Sequence, residues 1–209
     1  MILKAKHHPL IYPFFKGYAL WKIRINFHKV KIIGDLAEKD LPVLIISNHL
    51  SWWDGFWVMY LNLKIFHRKF WFMMLEEQLK KHMFFNYTGG FSIKKGSRSI
   101  IETLDYTVGL LKNRENLVLI FPQGEIQSIQ TRNIRFEKGI DHIISKVKGQ
   151  AQIIFLVSMV EYFSNPKPTL YMHVSEFTCS DTGIIDTEKA YRMFHEKVIA
   201  EYADKKEPE

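Results

Sequence analysis

The sequence predicts an α/β domain in which helices cover a central mixed, mostly parallel sheet, preceded by an N-terminal amphipathic helical segment. Three observations lead there. Short, continuously apolar runs at LPVLIIS (41–47), FWFMML (70–75), NLVLIF (116–121) and AQIIFLVSMV (151–160) have the length and composition of strands buried on both faces. Stretches of helical period lie between them. Gly and Pro stand where strands end or turn, at Gly34, Gly89-Gly90 and Pro122-Gln123-Gly124.

In chain order, residues 9–26 form an amphipathic helix started or broken at Pro13, and HKVKIIG alternates like a strand that stops at Gly34. LPVLIIS leads into the turn Ser47-Asn48-His49, followed by a helix over 55–63, the FWFMML strand and a helix over EEQLKKHMFF (76–85). After Gly89-Gly90 comes the short strand FSIKK. Ser97 is placed to cap a helix reaching Lys112, with Ile100, Ile101, Leu104, Val108 and Leu111 on one face. NLVLIF then stops at Pro122. A helix over 137–147, the AQIIFLVSMV strand, a strand near TLYMHVSEF (169–177) and a helix over about 187–202 complete the domain. The expected division is a membrane-interface helix at 1–27, the main domain at 28–203 and a disordered tail at 204–209.

Composition narrows the function. A chain of 209 residues is long enough for one proper core. A single cysteine, Cys179, excludes a disulfide framework and a cysteine-based zinc site, and it suits a reducing compartment. No run reaches the ~18 apolar residues of a membrane span, and the N-terminus lacks the apolar core and cleavage site of a secretory signal. That segment mixes Tyr12, Phe14, Phe15, Tyr18 and Trp21 with Lys16, Lys22 and Arg24, a blend suited to the headgroup layer. A net charge of +7 implies an anionic partner, with a basic solvated surface as the plain alternative. No basic recognition helix or zinc-finger spacing supports a nucleic-acid partner. The expected setting is peripheral, on the cytoplasmic face of an anionic membrane surface; oligomeric state is left open.

In open α/β sheets, sites gather at the carboxyl ends of strands, and three polar turns sit there. The first, ISNHLSWWD, leaves LPVLIIS with His49 and Asp54 five positions apart. A carboxylate bonded to one ring nitrogen fixes the tautomer and leaves the other nitrogen as a base for a hydroxyl. The plain alternative is a turn in which Asn48 and Ser51 make local hydrogen bonds and Asp54 caps the next helix. The second, GGFSIKKGSR (89–98), brings Lys94, Lys95 and Arg98 towards a helix start, a good place for an anion or a solvated basic loop. The third, FPQGE (121–125), turns at Pro122 and Gly124 with backbone N–H groups facing the strand ends.

Together these blocks resemble the glycerolipid acyltransferases, the 1-acylglycerol-3-phosphate acyltransferase family. Asn48-His49, four further residues and Asp54 look like its NHxxxxD signature. The Gly-rich turn, strand and basic residue of its second block are similar to GGFSIKK, and its FPEGTR to Phe121-Pro122-Gln123-Gly124-Glu125-Ile126. A later Phe-x-x-Gly element resembles Phe136-Glu137-Lys138-Gly139. The resemblance covers residues 43–158 and implies a non-covalent mechanism. His49, oriented by Asp54, deprotonates a lysolipid hydroxyl as it attacks the thioester of an acyl-CoA or acyl-carrier protein. Asn48 and Ser51 are expected at the substrate site, with Asn48 and the turn amides either holding the loop or helping to polarise the carbonyl. Gly90, Lys95, Arg98 and the Phe121, Pro122, Gln123, Gly124, Glu125 block are expected to bind an acceptor such as 1-acylglycerol-3-phosphate. No metal or other cofactor is expected.

The chain departs from that pattern. Gln123 stands for glutamate, Glu125 for threonine, Ile126 for arginine, Lys95 for arginine, and Phe155 for a fourth-block proline. Exchanging the Ile126 arginine and gaining Glu125 weakens a phosphate site, for which Arg132 or Arg135 from the same loop are candidate replacements. Other acceptors for the same chemistry are a glycolipid, an aminoacyl lipid or a carotenoid glycoside; a non-catalytic lipid-binding relative is a further alternative. Trp52, Trp53 and Trp57 crowd the proposed base; Trp57 is expected in the core, Trp52 and Trp53 at an acyl pocket or the bilayer.

Overall fold

The computed structural model describes residues 2–96, 99–178 and 186–203. Its elements follow the chain as α1 (Ile11–Asn26), β1 (Lys29–Ile33), β2 (Val43–Ser47), α2 (Asp54–Leu61), β3 (Lys69–Leu75), α3 (Glu76–Lys81), β4 (Gly90–Ile93), α4 (Ser99–Leu110), β5 (Asn116–Ile120), α5 (Ile140–Val147), β6 (Gln152–Glu161), β7 (Thr169–Phe177) and α6 (Thr187–Ala203). The seven strands form one mixed sheet in the order β1-β7-β6-β2-β5-β3-β4. Among the described strands the pairings are parallel except that of β6 with β7. The expected mostly parallel α/β domain is therefore what the chain forms, with β2 at the centre between β5 and β6.

The continuous apolar runs have a direct explanation in this sheet. Val43 and Ile45 of β2 face one core with Leu117 and Leu119 of β5 and Ile154 and Leu156 of β6. Leu44 and Ile46 face the other with Val118, Ile120, Ile153 and Phe155. Both faces are covered, so these strands are apolar between their ends, with Ser158 of β6 the exception. Phe15, Ala19 and Ile23 of α1 join α2 over the first face; α4, α5 and α6 cover the second. Phe155, at the position of the family's fourth-block proline, is buried against Phe177 and Tyr191.

Several element bounds and faces differ from expectation. The helix after β2 begins at Asp54 and passes at Asn62–Phe66 into a π-helical turn, which ends at His67 in the left-handed region (φ 54°). The predicted helix over 76–85 breaks at His82 into α3 and a 3-10 turn, Met83–Tyr87. Ile101, expected on the buried face of α4, is 63% exposed. It lies beside Ile100 but a full 100° round the helix, whereas Leu104 at the spacing of four from Ile100 is buried. The helix over 137–147 starts only at Ile140, because Gly139 holds φ 123° and leaves Glu137 and Lys138 in a loop. The proposed Ser97 cap and the 204–209 tail lie outside the described residues.

Candidate active site

The strands β2, β3, β4, β5 and β6 run in the same direction, so the turns after β2, β4 and β5 emerge at one edge of the sheet. At that edge His49 Nδ1 lies 2.8 Å from Asp54 Oδ2. The same Oδ2 accepts the backbone N–H of Leu50 at 2.6 Å and of Ser51 at 3.0 Å, and Oδ1 accepts the Ser51 hydroxyl at 3.1 Å. Asp54 is 2% exposed, and a buried carboxylate persists only when it is paired in this way. An ionised carboxylate only accepts, so the contact suits the tautomer with its proton on Nδ1, which would leave Nε2 as the free nitrogen of a side chain that lines the neighbouring cavity. Asp54 thereby closes the turn on itself and holds one nitrogen of the imidazole; its bonds go to residues 49–51 ahead of the helix, whose first turn it does not cap. Phe121 stacks on the imidazole with ring centroids 4.0 Å apart and planes 9° from parallel, which fixes the ring's plane.

Other residues of the first turn hold it in place. Asn48 donates to the Ser158 carbonyl at 3.2 Å and accepts the Ser158 N–H at 2.9 Å, tying the turn to β6 with both ends of its amide. Tyr191 of α6 donates to the Leu156 carbonyl at 2.8 Å, and burial pushes its hydroxyl well above the usual phenol range. Ser51 accepts the Trp53 N–H at 3.1 Å while bonding to Asp54. Asn48, Ser51 and the N–H groups of residues 49–51 are therefore engaged within the protein, and neither Asn48 nor Ser51 lines the cavity. They hold the turn in this structure, the loop-holding alternative for Asn48.

The turn after β5 locks onto the first. The His49 N–H donates to Gln123 Oε1 at 2.7 Å, Gln123 Nε2 to Gln127 Oε1 at 2.6 Å, and Gln127 Nε2 to Glu125 Oε1 at 3.0 Å. The Gln127 N–H returns to the His49 carbonyl at 2.9 Å. Gln123 is buried, and its two-ended amide suits a bridge between a donor and an acceptor better than a carboxylate would. Gln127 was missed by sequence reasoning; the polar Q-x-x-x-Q spacing within one turn was the available signal.

A cavity of about 490 Å³ opens beside His49. Phe15, Phe56, Phe70, Phe72 and Phe85 form one hydrocarbon wall; Phe121, Pro122 and Gly124 bring the third turn to it, and Glu125, Ile126, Glu137 and Lys138 complete its polar end with Lys95. Trp52 lines it and is 47% exposed, while Trp57 is buried in the core as expected. The Phe walls were read only as strand and helix residues, since their meeting depends on α1, α2, β3 and the 3-10 turn packing together. Lys95 Nζ lies 2.6 Å from Glu137 Oε1. Gly124 (φ 66°) makes room for that pair: a Cβ there would lie 2.9 Å from Lys95 Nζ and 3.0 Å from Glu137 Cγ.

Gly90 serves differently from the expectation. It is buried in β4 opposite Phe72, and a Cβ would come within 2.8 Å of the Phe85 carbonyl oxygen, so its role is close packing of the cavity wall. Arg132 sits in a separate shallow groove with Lys189 and Arg192, and neither it nor Arg135 reaches the cavity. The proposed cationic replacement for Ile126 is therefore not made by those two residues. Arg98 lies outside the described residues. Among the described residues no cluster of three His, Cys, Asp or Glu side chains is arranged to hold a metal.

Comparisons with known proteins bear on the family and the fold. The Acyltransferase family model matches residues 28–159, more than half of the chain. No curated protein sequence matches closely enough to count as a relative. Among solved structures, the 1-acyl-sn-glycerophosphate (LPA) acyltransferase PlsC from Thermotoga maritima is similar in fold, with a TM-score of 0.59 over 94% of this chain and 81% of that one at 14% identity.

Proposed function

This chain belongs to the acyltransferase family, and from that premise we propose that it moves a fatty acyl group from an acyl-CoA or acyl-carrier-protein thioester to the free hydroxyl of a lysophospholipid. The observation that carries the reading is His49, its Nδ1 held by buried Asp54 at 2.8 Å and its ring on the wall of a largely aromatic cavity.

The steps follow from that geometry. Nε2 takes the proton of the lysolipid hydroxyl as the oxygen attacks the thioester carbonyl. The tetrahedral intermediate collapses with cleavage of the C–S bond, the thiolate recovers the proton from His49, and the new ester leaves. Asp54 offsets the positive charge on the imidazole while it holds the proton. No acyl-enzyme forms, since the attacking nucleophile is the acceptor itself. The cavity volume falls within the range of small-molecule sites, roughly 300–1,000 Å³, and its phenylalanines offer an acyl chain an apolar bed.

Both substrates partition into membranes, and the surface around the cavity is suited to that. Leu10, Phe14, Trp21 and Ile25 form an exposed stripe at helical spacing along α1, and Trp52, Met83 and Phe84 are exposed near the cavity. Lys22 lies over the Trp21 ring at 5.1 Å, placing a cation beside the stripe. Among the described residues no helix is long and apolar enough to cross a membrane. We place the protein on a membrane surface, with the stripe in the headgroup layer.

Vesicles containing a lysophospholipid, supplied with defined acyl-CoA or acyl-carrier-protein donors, provide the test. Wild-type protein is expected to form the diacyl product, and His49→Ala to lose on the order of 10²–10⁴ in rate. Undiminished transfer by folded His49→Ala would remove the catalytic assignment, and no transfer by the wild type would leave a non-catalytic lipid-binding relative. Mass spectrometry of enzyme with donor alone checks for an acyl adduct.

A further inference from the structure

The polar end of the cavity carries charges of both signs. Lys95, Glu125, Glu137 and Lys138 all line it. Lys95 and Glu137 satisfy one another at 2.6 Å, folded over Gly124. Of the remaining two, Glu125 accepts a neutral hydrogen bond from Gln127 and Lys138 has no ion-pair partner among the described residues. Among the described residues the four formal charges cancel, and the two left unmatched are opposite.

Resting on the acyl-transfer reading above, we propose that the acceptor's head group is zwitterionic, its anion seated at Lys138 and its ammonium at Glu125. A phosphomonoester dianion would meet one unmatched cation and, on the same wall, one carboxylate that repels it; the two effects oppose each other at similar range. A head group with an anion and an ammonium pairs with both. Glu125 is well placed to turn that recognition into register. Its carboxylate is joined through Gln127 and Gln123 to the backbone N–H of His49, so a head group docked on it is positioned relative to the base. Two sources share this chemistry: a phosphoethanolamine lysolipid, and an amino-acid lysolipid with free amine and carboxylate.

Binding separates head-group recognition from catalysis. Full-length His49→Ala protein is titrated, through the fluorescence of Trp52 at the cavity, with short-chain lysolipids below their micelle concentrations. The probes carry a phosphomonoester, a phosphoethanolamine, an amino-acid or an uncharged head group. At least one zwitterionic probe is expected to bind roughly tenfold tighter than the phosphomonoester, as one charge contact changes sign; which of the two does so names the source. Glu125→Gln in the same background is expected to abolish that preference, and circular dichroism checks that the exposed substitution leaves the fold intact. Equal or tighter binding of the phosphomonoester, or a preference that survives Glu125→Gln, would overturn the proposal. Acyl transfer by the wild-type protein is then measured with the same acceptors. A zwitterion preference in binding with no transfer to any acceptor sinks the acyl-transfer reading alone, while transfer with a phosphomonoester preference sinks the head-group assignment alone.

Discussion

After β2 the chain buries a carboxylate and surrounds it with four hydrogen bonds, whereas after β5 it leaves Glu125 exposed and held by Gln127. The two turns leave adjacent parallel strands at one edge of the sheet, and Gln123 links them, yet they bear different constraints. In the first, amides and side chains are committed to one another and to β6. In the second, the charged side chain of Glu125 stays in reach of the cavity. The residues that resemble the family pattern most closely are in the first turn, and the departures Gln123, Glu125 and Ile126 are in the second.

Substitutions can break or sharpen this contrast. The largest effect is expected in the first turn. Beside the His49→Ala loss, Asp54→Asn keeps the shape of the turn but presents an N–H to donors, and transfer is expected to fall by about 10²-fold or more with Nδ1 no longer held; rates in the vesicle assay check it. A rise in KM alone, with kcat kept, would show that Asp54 is not the orienting group.

Acid is expected to act away from both turns. Burial lowers His7 and His195 from 6.5 to about 4, against the opposing bond between His7 Nε2 and the Phe70 carbonyl in the first case. Each is neutral in the fold and more readily protonated once unfolded. The stability each contributes is full above pH 6.5 and is lost as pH falls towards about 4. For His195, 2% exposed, the loss is up to about 1.4 kcal/mol per unit of separation. Urea unfolding at a series of pH values checks this, and His195→Leu is expected to flatten the curve below pH 6.5.

In the second turn, Gly124→Ala places a Cβ against the Lys95–Glu137 pair at a left-handed φ of 66°. A cost of about 1–3 kcal/mol in unfolding free energy is expected, with His49 chemistry retained in the folded fraction. A variant as stable as wild type would show that the pair moves freely. Ile126→Arg is expected to raise turnover of a phosphomonoester acceptor over a zwitterionic one by about tenfold, a single added cation on an exposed wall; an unchanged ratio would place Ile126 outside the head-group site. The smallest effect is expected where the turns join. Gln123→Ala removes the partner of the part-buried His49 N–H at a cost of roughly 0.5–1.5 kcal/mol shared between stability and rate, visible as a several-fold lower kcat with KM little changed.

The sequence by itself determined the class of fold and the meeting of His49 with Asp54. Two-sided burial needs an unbroken apolar run, so β2, β5 and β6 were legible as strands from LPVLIIS, NLVLIF and AQIIFLVSMV, and the helix starts followed within a few residues. His49 and Asp54 lie five positions apart, close enough for one turn to bring them together without help from the rest of the chain. What the tertiary structure decided involves residues far apart in sequence. Asn48 spends its amide on Ser158, 110 positions away; Gly90 is required by the approach of the Phe85 carbonyl; Lys95 meets Glu137 over Gly124, 42 positions away; and Arg132 goes to α6 and not to the cavity. No local period or spacing encodes such meetings, because they depend on which strands become neighbours and how far each turn projects once the sheet has formed.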